Sequence, residues 1–505
     1  MISRLLFAVK FFVCIYSHKI LEKRTKICKI TLEKRTKTLK ITLEKRTIHG
    51  NIMLERKIYK YLEHFFNNEP KQALLITGAR QIGKSFSIRE YGKKNFKNFI
   101  EINFLKEKNA VEAFSSADDA ESLLLRISAF TNKKLEKGKT LIFLDEVQVV
   151  PEIETAIKFL VEEGSFRYVL SGSLLGIELK NIRSLPVGYM TIKEMFPLDI
   201  EEFFTACGVQ KNIFDSLENC FKANQPVDPI VHNKMMELFR LYMVVGGMPA
   251  VVQTYINSNN IKNVVDEQKS ILAMYREDIS KYDVDNKLYI EDIFDLIPSE
   301  LNSQNKRFIL KKLNENIKFN RHENSFIWLR EAGVAIPVYN VESPTLPFEL
   351  AKLRNLFKLF SNDAGLLTCQ YADGIQLKIL NNEKEINFGS VYENVVAQEL
   401  KSHGFKLYYF NSKKQGEIDF LIKLDDKPLP LEVKSGKYYE RHNVLKNVIN
   451  NDEYKIEKAF VLCNDNISVK EKIIYLPIYM TMFIKEKEIS NMIYKIDLSN
   501  LDILK

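Results

Sequence analysis

The stretch "ALLITGARQIGKSFSIREY", residues 73–91, decides the fold. Its apolar opening reads as a strand and its last third as a helix. Between them lies G-x-x-x-x-G-K-S, formed by Gly78, Gly83, Lys84 and Ser85. Glycine tolerates the backbone angles that turn successive N–H groups inward, and a helix N-terminus adds its positive end. The loop Gly78, Ala79, Arg80, Gln81, Ile82, Gly83 can therefore cradle phosphate. Lys84 would reach the β- and γ-phosphates of ATP, and the Ser85 hydroxyl would bind Mg²⁺. Taken alone, the same letters also describe a glycine-bearing turn, so the neighbouring segments decide between the two.

Those neighbours favour the nucleotide. "TLIFLDEVQ", residues 140–148, is an apolar strand ending in Asp145 and Glu146. Asp145 suits the carboxylate that completes the Mg²⁺ site, and Glu146 the base that orients the attacking water. The alternative is an acidic helix cap after a buried strand. "RYVLSGSLLG", residues 167–176, ends a further strand with Ser171 and Ser173, either of which could read the γ-phosphate. "NFIEINF", residues 98–104, supplies a strand between the cradle and the Asp-Glu strand. Strands alternating with helices argue a parallel α/β sheet.

A chain of 505 residues exceeds one hydrophobic core. Residues 1–52 carry 13 Lys or Arg against 3 Glu, which leaves −1 of the total +9 for residues 53–505. Global charge thus gives nucleic-acid binding no support, and only a local patch could. "LEKRTKICKIT", "LEKRTKTLKIT" and "LEKRT" begin at residues 21, 32 and 43. Such near-identity arises when tandem DNA repeats upstream of a gene are translated. Residues 1–52 are therefore read as a leader outside the working protein, with Met53 opening an amphipathic helix. "LLFAVKFFVCIYS", residues 5–17, is broken by Lys10 and falls short of the ~20 apolar residues that span a bilayer. No membrane is expected, although a leader-anchored ATPase stands as a third reading. Cys14, Cys28, Cys207, Cys220, Cys369 and Cys463 form no C-x-x-C pair, which points away from zinc and disulfides and toward a reducing, cytoplasmic setting.

Near the far end, "GEIDFLIKLDDKPLPLEVKSG", residues 416–436, reads as two strands around a turn with Asp419, Glu432 and Lys434 set into them. Side chains alternate in a strand, so Glu432 and Lys434 share a face that Asp419 can meet. Upstream, "FGSVYENVVAQELKSHG" reads as a helix bearing Glu393. The order helix, three strands, helix, strand is that of the PD-(D/E)XK nuclease-like fold. Asp419, Glu432 and Glu393 would hold Mg²⁺, and Lys434 would orient the attacking water. A hairpin with polar outward positions would show the same letters.

Residues 53–505 resemble a prokaryotic family of AAA-type P-loop ATPases with a C-terminal domain of uncharacterised function. The resemblance rests on "TGARQIGKS", "LIFLDEVQ", "VLSGS", "MFPLDIEEF", "VVGGMPAVV" and "WLREAGVAIPVYNVESP". It implies a P-loop core at 53–198, a helical lid at 199–285, a winged-helix-like segment at 286–345 and the nuclease-like domain at 346–505. Where relatives carry a basic residue, a candidate arginine finger, this chain has Tyr189 after Gly188, with Arg183 the nearest substitute. Two functions follow from the resemblance: an ATP-dependent enzyme acting on nucleic acid, or a nucleotide-operated switch that recruits a partner through an inert nuclease-like module. AAA-type ATPases often assemble into oligomers.

Overall fold

The computed structural model describes residues 47–48, 51–68, 72–116, 119–131, 135–150, 152–172, 188–282, 287–303, 306–308, 319–383 and 388–486. The leader repeats before residue 47, the apolar stretch 5–17, Ser173 and Arg183 lie outside the described residues. The chain divides into two units, Met1–Leu54 and Glu55–Lys505. In the first, Thr47–Ile48 pairs antiparallel with Asn51–Ile52. All that follows concerns the second.

Its first sheet holds β1 (Ala73–Thr77), β2 (Asn98–Asn103), β3 (Thr140–Asp145), β4 (Arg167–Ser171) and β5 (Met190–Glu194). The strands are all parallel, in the order β2-β3-β4-β1-β5. β3 is buried along its whole length, as a strand covered on both faces must be. The strand standing between β1 and β3 is β4, which carries Ser171; β2 lies at the edge. Helices α1 (Lys57–Asn68), α2 (Lys84–Asn95), α3 (Lys108–Ser115), α4 (Ala120–Thr131) and α5 (Ile153–Glu163) complete this part. The helix expected to open at Met53 begins at Lys57 instead.

The helical block expected after Asp199 is present as α6 (Ile200–Ala206), α7 (Lys211–Ala223), α8 (Pro229–Val245), α9 (Pro249–Ser258) and α10 (Ile261–Tyr282). Asp228 caps α8 by accepting from the Ile230 and Val231 N–H groups, with Pro229 in the first turn where its missing N–H costs nothing. Met235, Met236, Met243 and Met248 are buried.

α11 (Lys287–Leu301) and α12 (Phe319–Glu331) lead into a second sheet. Its strands are β6 (Ala335–Val341), β7 (Lys352–Ser361), β8 (Tyr408–Ser412), β9 (Gly416–Leu424), β10 (Lys427–Val433), β11 (Ala459–Cys463), β12 (Ser468–Lys470) and β13 (Ile473–Pro477). α13 (Ala364–Cys369), α14 (Ile375–Leu380), α15 (Gly389–Ser402) and α16 (Asn443–Ile449) accompany it. The order is β12-β13-β11-β10-β9-β8-β6-β7, with β8-β9-β10 antiparallel and β11 parallel to β10.

The segment read as winged-helix-like differs here. Its β-rich run is β6, which pairs in parallel with β8 and antiparallel with β7. A strand this buried needs partners on both edges. It finds them in the second sheet, so a boundary at 346 cuts that sheet in two. The sheet also curls. β7 and β9 are three strand spacings of about 4.8 Å apart along the ladder, yet the Phe360 and Phe420 rings stand 5.6 Å apart. No helix among the described residues is long and apolar enough to cross a membrane.

The glycine pair of "VVGGMPAVV" joins these parts. The Gly247 N–H donates to the Asp363 carboxylate at 2.6 Å, and that carboxylate also caps α13 through the Leu366 N–H at 2.9 Å. Gly246 has φ 74°, and a Cβ there would overlap the Asp363 side chain. Gly246→Ala is therefore expected to cost about 2–5 kcal/mol through strain and overpacking together. Denaturant unfolding should show a lower midpoint with an unchanged slope.

Candidate functional site

Gly78, Gln81 and Gly83 all have positive φ, at 126°, 66° and 88°, and these angles fold the loop over the N-terminus of α2. The Lys84 ammonium closes it from inside, donating to the carbonyls of Gly78 at 2.8 Å and Ala79 at 2.7 Å. Burial pushes its pKa down to about 8, against the pull of Glu146 and Asp145. Asp145 is buried at the end of β3. It accepts from Ser85 Oγ at 2.9 Å, from Asn103 Nδ2 at 2.9 Å and from the Ser171 hydroxyl. Arg89, bound to Glu101 at 2.7 Å, stands 3.6 Å from the same carboxylate. Glu146 follows in the left-handed region at φ 59° and accepts from Gln148 Nε2 at 2.7 Å. Such strain in a non-glycine residue gathers at functional sites.

The structure thus brings Lys84, Ser85, Asp145 and Ser171 together. Sequence reasoning missed Asn103 and Arg89. Asn103 is found only through the register that sets it opposite Asp145. Tyr189 donates to Glu162 of α5 at 2.7 Å.

The loop is held from outside as well. The Arg56 guanidinium donates to the Ile82 carbonyl at 3.1 Å and the Phe196 carbonyl at 2.7 Å, and pairs with Glu202 at 3.1 Å. Gln81 turns its amide toward Met274 Sδ at 3.8 Å. Arg80 pairs with Asp278 of α10, and its carbonyl accepts from the Tyr275 hydroxyl at 3.2 Å. In "YREDIS", residues 275–280, which has the letters of a solvated helix face, Tyr275, Asp278 and Ile279 are buried. Tyr275 and Asp278 reach the loop through Arg80. Gly333, between α12 and β6, presses on the loop so closely that a Cβ would lie 2.9 Å from the Ala79 nitrogen.

In the second sheet, the register Phe420–Leu431 sets Asp419 and Glu432 opposite one another on β9 and β10. The Val433 N–H donates to Asp419 at 2.9 Å, and Lys434 pairs with Glu432 at 2.7 Å. Burial and the facing Asp419 push Glu432 up to about 8. Glu393 is buried on α15 and paired with Lys306. Sequence reasoning missed the residue at the centre, Lys358 of β7, which is 0 % exposed. Its ammonium lies 2.6 Å from Glu417, 3.8 Å from Glu393 and 4.0 Å from Asp419. Burial alone would lower its pKa, but Glu393, Glu417 and Asp419 win and hold it above the usual lysine value. Burial would raise the Asp419 pKa, yet Lys358, Lys306 and Lys434 hold it below the usual carboxylate value.

The expected Mg²⁺ set of Asp419, Glu432 and Glu393 does not converge as ligands. Among the described residues, three ligand atoms come within 4.8 Å of one another only at Asp199, Glu399 and His403. There Asp199 is already bound by Lys57 and by the Glu202 N–H.

Residues 70–204 match the family model of an AAA domain, so this part is a P-loop domain of AAA type. Residues 236–378 and 388–480 match two domains of unknown function, DUF8612 and DUF4143. Curated proteins gave no match. Among solved structures, the chain is similar to the Walker-type ATPase PABY2304 of Pyrococcus abyssi, at 13% identity and TM-score 0.38, covering 63% of this chain and 96% of that one. It is also similar to the Orc1 protein of Aeropyrum pernix in complex with DNA, at 11% and 0.26, covering 66% and 94%. Cdc6p of Pyrobaculum aerophilum follows at 13% and 0.21, covering 65% and 94%.

Lys358→Met is expected to destabilise the protein by about 3–5 kcal/mol, because the carboxylates lose their buried counter-charge. The Asp419 pKa would then rise from below its unfolded value, and that of Glu393, already raised by burial, would rise further. A raised acid stabilises the fold at low pH and ceases to as pH climbs. The deficit should therefore be largest near pH 8 and shrink toward pH 5 in denaturant titrations.

Proposed function

We propose that the protein is a nucleotide-operated switch. Its AAA domain binds and hydrolyses ATP, and its second sheet is a nuclease-like module that serves as a binding element and does not cleave. In the ATP site the loop N–H groups would receive the phosphates. Lys84 would leave the Gly78 and Ala79 carbonyls for the β- and γ-oxygens. The Ser85 hydroxyl and Asp145 carboxylate, already bonded to one another, are hard oxygen donors that fit Mg²⁺. Mg²⁺, when bound, neutralises charge developing between the β- and γ-phosphates. Glu146 would orient the attacking water, and Ser171, bonded to Asp145, would hold that carboxylate in place.

One observation carries the non-cleaving reading of the module: the ammonium of Lys358 lies among Glu393, Glu417 and Asp419 with no access to water. These carboxylates are compensated by lysine, and a divalent cation would have to displace a fully buried charge. Asp419, Glu432, Glu393 and Lys434 are then read as a structural charge network on a nuclease-like topology.

Lys84→Ala should weaken ATP binding at least tenfold by calorimetry, since the cradle loses its cation. Glu146→Gln should keep ATP affinity while slowing phosphate release a hundredfold or more, as removal of a positioned base does. The full chain, incubated with DNA and RNA in Mg²⁺ or Mn²⁺, should leave both intact with or without ATP. Metal-dependent cleavage that disappears in Asp419→Ala and Glu432→Ala would replace this reading with that of an active nuclease.

A further inference from the structure

A cleft of about 900 Å³ opens between the ATP loop and the second sheet, with Thr77, Gly78 and Ala79 on one wall. The other wall comes from α12, β6, β7 and residues 404–408. Its charges do not cancel. The three lining acids each have a basic partner: Glu331 with Arg330, Glu194 with Lys401 at 3.5 Å, Glu349 with Lys406 at 3.0 Å. Two further lining cations remain, Lys352 and Arg354 of β7, and neither belongs to an ion pair among the described residues. Burial lowers the pKa of Lys352, and the charges of Arg330 and Arg354 lower it further. Glu349 offsets this only in part, and an excess of cations on a unit that is otherwise electrically balanced favours an anion.

Aromatic surface lies beside these cations. The Lys352 ammonium stands 3.5 Å from the centre of the Tyr339 ring, and Lys401 stands 5.9 Å from that of Phe196. Tyr339 and Phe196 both line the cleft and are half-buried. A second cavity of about 220 Å³, bordered by Arg330, Tyr339, Lys352 and Arg354, extends this surface.

We propose that this cleft binds a segment of single-stranded nucleic acid, with Lys352 leaving the Tyr339 ring to join Arg354 on the phosphates and a base taking its place on that ring face. Cations beside an aromatic platform are how unpaired strands are held, because every base offers a planar face and every link a phosphate. A duplex keeps its bases stacked on each other and has none to offer Tyr339. An acidic peptide would satisfy the cations and leave the ring without a planar partner. The proposal goes beyond the switch reading and stands apart from it, since it needs neither ATP hydrolysis nor the state of the Lys358 network.

The test is fluorescence anisotropy of labelled dT and U oligonucleotides on the full chain, without ATP or divalent metal, across a salt series. The expected result is salt-dependent binding of the single strands, with weaker binding of a duplex of equal length. Lys352→Glu with Arg354→Glu should weaken binding at least tenfold. It should also flatten the slope of log affinity against log salt by about 1.4, at about 0.7 per phosphate contact on a single strand. Arg354→Gln alone, at an exposed position that cannot disturb the core, should flatten it by about half as much. Tyr339→Ala should weaken binding about fivefold or more and leave the slope unchanged. Unchanged affinity in Arg354→Gln and the double variant would overturn the proposal. So would a polyglutamate peptide, or a free mononucleotide at equal phosphate concentration, competing as well as the oligonucleotide.

Discussion

An ammonium that cannot reach water must be surrounded by oxygen, and Lys358 imposes that condition on the whole second sheet. The sheet has to curl for β7 to approach β9, and α15 has to place Glu393 inward. The ATP site solves the same problem of buried charge in the opposite way. Asp145 is held by the neutral donors Ser85, Asn103 and Ser171, with Arg89 beyond hydrogen-bond range at 3.6 Å. Neutral donors orient a carboxylate without consuming its charge, so Asp145 keeps its attraction for a cation. Asp419, facing Lys358 and influenced by Lys306 and Lys434, has largely spent its own. The two carboxylate sites look alike as letters and differ in what surrounds them.

The ATP loop is gripped by chain segments far from it in sequence. Arg56 comes from before it, Tyr275 and Asp278 from α10, and Gly333 from the entry to β6. Asn362, the residue after β7, reaches the same Tyr275 hydroxyl at 3.4 Å. A loop that shifts by even a fraction of an ångström on receiving phosphate would press on groups continuous with the second sheet, since packed interiors transmit strain.

Much of this is legible in the letters, because some requirements are local. The glycines and lysine of the ATP loop are needed within a few residues of one another, and so are the alternating Glu432 and Lys434. The helix–strand order from Gly389 to Cys463 follows from periodicity and is present as read. Lys358 is not legible. It sits in a strand of mixed basic and apolar residues, and its role arises only once the curled sheet brings β7 over β9. Asp278 is hidden for a similar reason, since a buried carboxylate on a long helix looks solvated until its distant partner Arg80 is in place. β6 reads as part of a wing because its partner β8 is encoded much later.

That last separation reaches back to how the polypeptide is made. β6 and β7 leave the ribosome as adjacent antiparallel strands, but Tyr339 of β6 finds its other neighbour only when Tyr408 of β8 has been synthesised. At 5–20 residues per second this interval lasts several seconds. During it the inner edge of β6 presents unpaired backbone groups that any passing strand can match. Nascent chains stalled within that window would be the ones that most need a chaperone's cover.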